Sequence, residues 1–123
     1  MELIYAKEIL EKQCTEFKAA KKLFGGNEQL ATSLLARINA LKSAEVIKDI
    51  IVQQTFHFHD LKNIGRKNYE GYFAIDVKSR KEQWRIIIQP LNEDREPYDP
   101  CNIDEIAGIV RIVEITEVSK HYE

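Results

Sequence analysis

Residues 72–89 read YFAIDVKSRKEQWRIIIQ, two runs of alternating side-chain character around a short charged segment. Alternation with a period of two indicates β-strands, because successive side chains of a strand point to opposite faces of the sheet. We therefore predict strands over residues 72–77 and 84–89, with a turn over residues 78–82. Strands that follow one another without an intervening helix pair antiparallel.

Further strands are predicted on both sides of this pair. Residues 56–59 alternate phenylalanine with histidine, and residues 109–116 are rich in β-branched side chains. Residues 2–6 have the apolar content of a short strand. Residues 91–108 form a long link with two prolines, within which residues 102–107 could form a helical turn.

The front of the chain has helical spacing. Apolar residues three and four apart predict one helix over residues 7–24, ended by Gly25 and Gly26. Asn27 is the predicted N-cap of a second helix that runs to about residue 42, and Ser43 caps a third, shorter one. The predicted buried stripes of the three helices are Leu10, Cys14, Phe17, Ala20 and Phe24, then Leu30, Leu34, Ile38 and Leu41, then Val46, Ile47, Ile50 and Ile51.

This order of elements predicts an α+β fold in a single domain over residues 1–123, with the helices on one side of an antiparallel sheet. A length of 123 residues with 44% hydrophobic and 31% charged residues suits one globular domain. No apolar run approaches the ~18 residues of a membrane span. Residues 1–8 lack the pattern of a signal peptide, so we expect a cytoplasmic protein without membrane contact.

Charge is unevenly distributed along the chain. The net charge is −2, whereas nucleic-acid binders are usually basic. Residues 62–85 nevertheless contain seven bases and three acids, and residues 93–105 contain six acids and one base. A local basic face can coexist with a nearly neutral whole. The seven bases are Lys62, Arg66, Lys67, Lys78, Arg80, Lys81 and Arg85.

Histidine, lysine and arginine of this region could together cleave RNA without a metal. Such cleavage needs a base for the ribose 2′-hydroxyl proton, an acid for the departing 5′-oxygen and fixed cations for the phosphate charge. A metal site is the alternative, because His57 and His59 would share one strand face and His121 could be a third ligand. No acidic or cysteine ligand has supporting spacing, so we predict no metal and no cofactor. Cys14 is expected in the core, and Cys101 lies in the long link.

Several segments together resemble the HigB-like, or plasmid maintenance killer, branch of the RelE/ParE toxin superfamily. The first is the element His59-Asp60-Leu61-Lys62, and the second is the strand of residues 72–78. The third is Trp84-Arg85-Ile86 on the next strand, and the front segment of residues 36–41 also fits. The family ends in an acidic residue, tyrosine and histidine after an apolar strand, and this chain ends in His121-Tyr122-Glu123.

The resemblance implies a RelE-like fold, in which an N-terminal strand and two to three helices pack on a curved antiparallel sheet of about four to five strands. It implies the toxin of a type II toxin–antitoxin system, a growth-inhibiting mRNA interferase that cleaves mRNA on the ribosome. The implied partners are the ribosome with its mRNA and a cognate helix-turn-helix antitoxin. Operator DNA would be bound only through the complex with the antitoxin.

The resemblance also assigns roles to single residues. It implies acid–base and phosphate-polarising roles in catalysis, and a second group that binds RNA or its phosphates, where aromatic stacking suits an unstacked codon. The implied catalytic residues are His59, Lys62, Arg85 and His121. The implied RNA- and phosphate-binding residues are Lys78, Arg66, Lys67 and Tyr122.

A second hypothesis remains open from the sequence. The acidic link and the net charge of −2 would weaken attraction to phosphates, which dominates nucleic-acid affinity. The chain could then be a toxin-fold binding or inhibitor module without nuclease activity, of the ParE type or degenerate.

Overall fold

One mixed β-sheet with a layer of helices forms the fold seen in the computed structural model, which describes residues 1–61 and 69–120. A 3-10 turn over Gln54–Phe56 precedes the second strand. In chain order, the helices and strands of the described residues are β1 (Glu2–Tyr5), α1 (Glu8–Thr15), α2 (Phe17–Leu23), α3 (Glu28–Ser43), α4 (Lys48–Ile51), β2 (His59–Leu61), β3 (Tyr72–Asp76), β4 (Trp84–Leu91), α5 (Ile103–Ile106) and β5 (Ile112–Lys120).

The five strands of the described residues lie in the order β1-β5-β4-β3-β2. The pairs β2–β3, β3–β4 and β4–β5 are antiparallel, as predicted. The prediction of an all-antiparallel sheet is wrong for β1, which pairs parallel to β5. The helices connect β1 at one edge of the sheet to β2 at the opposite edge. The later strands then pair back across the sheet until β5 lies next to β1. The predicted α+β class is confirmed.

Alternation along the strands separates two faces of the sheet. One set of side chains packs with the helices in the main core, and it includes Phe73, Ile75, Ile86 and Ile88. The opposite face carries a smaller apolar cluster of Leu61, Tyr69, Ala74 and Ile87. A β-bulge between Ile87 and Ile88 shifts the register of β4 against β5. The second face has no helix layer in the described residues, and it holds the residues considered below.

The predicted single helix over residues 7–24 is wrong, because α1 and α2 are separate helices. Glu16 between them is extended, with φ −119° and ψ 121°. Its N–H still donates to the Lys12 carbonyl, and its own carbonyl accepts from Ala20 N–H, so the break leaves these backbone groups paired. The chain changes direction there, and Phe17 is exposed (42%) rather than buried. Cys14 is buried as predicted.

The predicted cap of the second helix is confirmed, and that of the third is wrong. The Asn27 side chain accepts a hydrogen bond of 3.1 Å from Leu30 N–H at the start of α3. Ser43 is the last residue of α3, and the turn that follows is organised by Asp49. The Asp49 carboxylate accepts from the N–H groups of Glu45 and Val46, at 3.0 and 3.2 Å.

Three other predicted segments have mixed outcomes. Residues 56–59 are not one strand, because the 3-10 turn occupies the first part and β2 begins at His59. The last strand lies further along the chain than the predicted 109–116. The helical turn within residues 102–107 is present as α5. No helix in the described part of the chain is both long and apolar enough to cross a membrane.

Candidate active site

A cleft of about 400 Å³ opens on the sheet face that lacks helices. Four side chains line it, and all four are basic or imidazole groups: His57, His59, Arg80 and Arg85. His59 begins β2, and His57 lies just before that strand. Arg85 is the second residue of β4, and the exposed Arg80 lies in the turn that leads into β4.

Asp76 and Arg85 form a buried ion pair at the back of the cleft. The two residues are register partners on β3 and β4, so their side chains leave the same face of the sheet. Arg85 Nε lies 3.2 Å from Asp76 Oδ1, and both side chains are 2% exposed. The Nε–H is not aligned for a hydrogen bond, so the contact is an electrostatic one.

The remaining donors of Arg85 hold the turn between β3 and β4. Nη1 donates to the carbonyls of Trp84, at 2.9 Å, and of Glu82. Nη2 donates at 3.4 Å to the carbonyl of Arg80. The guanidinium therefore positions the turn, and with it the backbone of Arg80, against the sheet. The resemblance implies a direct phosphate contact for Arg85, whereas the described contacts of its side chain are internal.

Arg37 reaches the same region from the helix layer. Its Nη2 donates to the carbonyls of Thr55 (3.2 Å) and Lys78 (3.1 Å), and its guanidinium lies 4.5 Å from the centre of the Phe56 ring. Burial lowers the pKa of Arg37, and the charge of Asp76 opposes that change. Arg37 thus ties the 3-10 turn to the end of β3. The only sequence signal for it is a base between the buried Leu34 and Ile38 of α3.

His57 faces the buried carboxylate from the other side. Its Nδ1 lies 3.3 Å from Asp76 Oδ1. Its backbone is left-handed, with φ 49°, which is uncommon for a residue other than glycine. A carboxylate that already faces a guanidinium accepts hydrogen bonds, so we assign the Nδ1 proton to His57.

His59 has one ring nitrogen held and the other unpaired. Its Nδ1 lies 2.8 Å from the carbonyl oxygen of His57. A carbonyl only accepts, so Nδ1 carries a proton, and Nε2 of the neutral ring has a lone pair. Within the described residues, Nε2 is buried and has no hydrogen-bond partner. A buried polar atom without a partner costs about 1–3 kcal/mol and therefore calls for a functional explanation.

The expectation that His57 and His59 share one face of a strand is wrong, because His57 precedes β2 and is not in a strand. Their rings still lie 4.6 Å apart, between centres. Both Nδ1 atoms point at protein acceptors rather than at a common point. Over residues 1–61 and 69–120, no cluster of three or more potential metal ligands occurs.

Lys78 is not part of the cleft. Its Nζ donates at 3.0 Å to Gln29 Oε1, and it lines a separate depression with the first residues of α3. The structure thus brings His59 and Arg85 together and places Lys78 elsewhere. Five further residues with implied roles lie outside the described residues: Lys62, Arg66, Lys67, His121 and Tyr122.

A carboxylate on β5 lies on the same open face. Glu117 accepts hydrogen bonds of 3.1 Å from Tyr69 Oη and from Ser119 Oγ. Ser119 is the register partner of Arg85, so this group is adjacent to the cleft. Sequence reasoning did not identify Glu117, Asp76 or the role of Arg80, because their importance depends on which strands pair.

Comparison with known proteins adds no relative, since no family model, curated protein or solved structure matches the chain. Function is therefore inferred from the residues and from the geometry of the cleft.

Proposed function

We propose that the protein is the toxin of a type II toxin–antitoxin system and cleaves mRNA on the ribosome by metal-free acid–base chemistry. The observation that carries the proposal is the His59 imidazole. Its Nδ1–H is held by a backbone carbonyl, its Nε2 is buried without a partner among the described residues, and the residue lines a cleft that two arginines also line. This is the arrangement that a general base needs.

The proposed reaction uses the ribose 2′-hydroxyl as nucleophile. His59 Nε2 takes the 2′-hydroxyl proton, and the 2′-oxygen attacks the adjacent phosphorus. The bond from phosphorus to the 5′-oxygen breaks, and that oxygen takes up a proton. Among the described residues, Arg80, exposed in the turn and lining the cleft, is the cation best placed to bind the phosphate.

Two observations support the toxin assignment beyond the chemistry. The motif residues His59 and Arg85, which come from two separate elements of the resemblance, line one cleft. The helix layer lies on the opposite face of the sheet and leaves that cleft open. The proposal includes a cytoplasmic location, a helix-turn-helix antitoxin as partner, and operator DNA bound only through that complex.

A binding module without nuclease activity is the second candidate. The internal contacts of Arg85 and the position of Lys78 outside the cleft favour it, because both remove a cation from the substrate side. The net charge of −2 acts in the same direction.

The test is controlled expression in bacteria, with growth curves and primer extension on a translated mRNA. The variant is His59→Asn, whose side-chain amide can still donate to the His57 carbonyl but has no base at the position of Nε2. We expect the wild type to arrest growth and create new 5′ ends within codons, and the variant to do neither. Normal growth without new ends, at confirmed wild-type expression, would instead support the binding module.

A second pair of variants tests the phosphate contact. Arg80→Gln removes the cation that lines the cleft, and Lys81→Gln removes the exposed cation next to it, which does not line the cleft. We expect Arg80→Gln alone to lower cleavage. Equal effects of the two changes would indicate only a general contribution of charge.

A further inference from the structure

We propose that His57 is the general acid of the cleavage step and that Asp76 is the residue that positions it. This inference rests on the proposed function and names a second catalytic side chain. His57 is not part of the family motif quoted above, and it is not the proposed general base.

The contact with Asp76 is the first argument. Asp76 is buried (1% exposed), and its Oδ1 faces both Arg85 Nε and His57 Nδ1. The carboxylate holds the His57 ring through Nδ1, so the other ring nitrogen, Nε2, is left for the substrate. With Nδ1 held by the carboxylate, a protonated His57 ring carries its transferable proton on Nε2, the nitrogen that faces away from Asp76.

The environment of the two histidines differs, and this is the second argument. Nδ1 of His59 donates to a neutral carbonyl oxygen, whereas Nδ1 of His57 faces a carboxylate. The side chain of His57 is 31% exposed, while Nε2 of His59 is buried. The two imidazoles therefore differ in the partner of Nδ1 and in exposure, as the separate roles of an acid and a base require.

The backbone couples the two rings. His57 N–H donates at 3.0 Å to the Gln54 carbonyl, which closes the 3-10 turn, and the His57 carbonyl accepts from His59. One left-handed residue therefore orients the base with its carbonyl and presents the acid with its side chain. The ring centres are 4.6 Å apart, close enough to serve two oxygens bonded to one phosphorus.

His59 and His57 together account for the proton that is removed and the proton that is donated. His59 Nε2 gains the proton of the 2′-hydroxyl, and the 2′-oxygen forms a bond to phosphorus. The bond from phosphorus to the 5′-oxygen breaks, and His57 Nε2 gives its proton to that oxygen. The products are a 2′,3′-cyclic phosphate and a 5′-hydroxyl end, with His59 protonated and His57 neutral.

The test compares two synthetic mRNAs on ribosomes with an empty A site, under single-turnover conditions. One has a normal linkage, and the other has sulfur in place of the bridging 5′-oxygen at the cleaved position. A thiolate leaves without protonation, so loss of the general acid matters only for the oxygen substrate. The variant is His57→Asn, because asparagine tolerates the left-handed backbone and retains a donor for Asp76.

We expect His57→Asn to cleave the oxygen substrate about 10²- to 10⁴-fold more slowly than the wild type, and the sulfur substrate within a few-fold of it. His59→Asn is the matched control and should be slow on both substrates. Asp76→Asn leaves the Arg85 charge buried without its partner, so its rates are compared at a measured folded fraction; corrected in this way, it should resemble His57→Asn, with the sulfur substrate restoring its rate. Unchanged melting and circular dichroism would show that His57→Asn is folded.

Two results would overturn the inference. If His57→Asn is equally slow on both substrates, its role is structural. If it cleaves the oxygen substrate at the wild-type rate, the imidazole is dispensable. If the wild type cleaves neither substrate, the proposed function is refuted, and the role of His57 as general acid is refuted with it. This outcome differs from the two results for His57→Asn, in which the wild type is active.

Discussion

Asp76 and Arg85 are the buried charged residues of the described chain, and each needs the other. Taking one charge out of water costs several kcal/mol, and the opposite charge compensates for it only while both are present. Arg85 also holds the carbonyls of Arg80 and Glu82 in the turn before β4, and that of Trp84 at the start of the strand. We therefore interpret the arginine of the Trp84-Arg85-Ile86 element as a positioning residue.

Arg85→Met should lower the free energy of unfolding by about 3–5 kcal/mol, because the Asp76 charge would stay buried without its partner. Urea denaturation measures this loss. Adding Asp76→Leu to Arg85→Met should restore most of it, since no charge is then buried. Arg80→Gln, at an exposed position, should change the free energy by no more than about 0.5 kcal/mol. Full stability of Arg85→Met would contradict this account of the pair.

Cys14 couples stability to alkaline pH. Burial raises the pKa of its thiol from 9.0 to about 12. Above pH 9 the unfolded chain loses this proton and the folded chain keeps it, so rising pH favours unfolding until about pH 12. The slope from one such group reaches about 1.4 kcal/mol per pH unit.

We expect Cys14→Ala to remove this contribution and to flatten the decline of the unfolding free energy above pH 9. Urea denaturation at several pH values from about 8 to about 11 measures this change in the unfolding free energy. The pKa of Tyr5 is also raised to about 12, mainly by burial, so Tyr5→Phe removes a separate decline from about pH 10. An identical pH profile for Cys14→Ala and the wild type would refute the coupling.

The helices differ in how far local sequence accounts for them. α3 is long, has an N-cap and a regular apolar stripe, and it forms where the pattern predicts. The break between α1 and α2 has no glycine or proline to announce it, and the backbone groups at Glu16 remain paired across the break. After the break α2 packs against α3, a contact that no pattern within residues 7–24 contains.

Asn27→Ala should destabilise the protein by about 1 kcal/mol, because the Leu30 N–H would lose its side-chain acceptor at the start of α3. Thermal or urea denaturation measures the change. Asn27→Ser is the matched control, since serine also caps helices, and it should stay within a few tenths of a kcal/mol. An equal loss in both variants would mean that the asparagine acts through something other than capping.

The complete molecule is asymmetric about its sheet. The main core fills the space between the sheet and the helices, and the smaller cluster on the other face leaves room for the cleft. The fluorescence of Trp84 should report on the packing between the sheet and the helices. Its ring packs edge-on against Phe24 in the main core, with 4.9 Å between ring centres. Trp84 is thus a partly buried residue packed against the main core.

Unfolding followed by Trp84 fluorescence and by far-ultraviolet circular dichroism should give one coincident transition. The reason is that the helices and the sheet share one apolar core, so neither keeps its burial without the other. Urea titration with both probes measures this. A fluorescence midpoint well below that of circular dichroism would show that the layers separate before the secondary structure is lost.

The amino-acid pattern was sufficient for the α+β class, for β3 and β4, for the cap at Asn27 and for the burial of Cys14, because all of these depend on neighbours a few residues away. It also pointed to His59 and Arg85 as residues of one site. Only the tertiary structure revealed the parallel β1–β5 pair and the carboxylate of Asp76 between Arg85 and His57. Those arrangements join distant parts of the chain, and strand pairing and burial decide which charges meet.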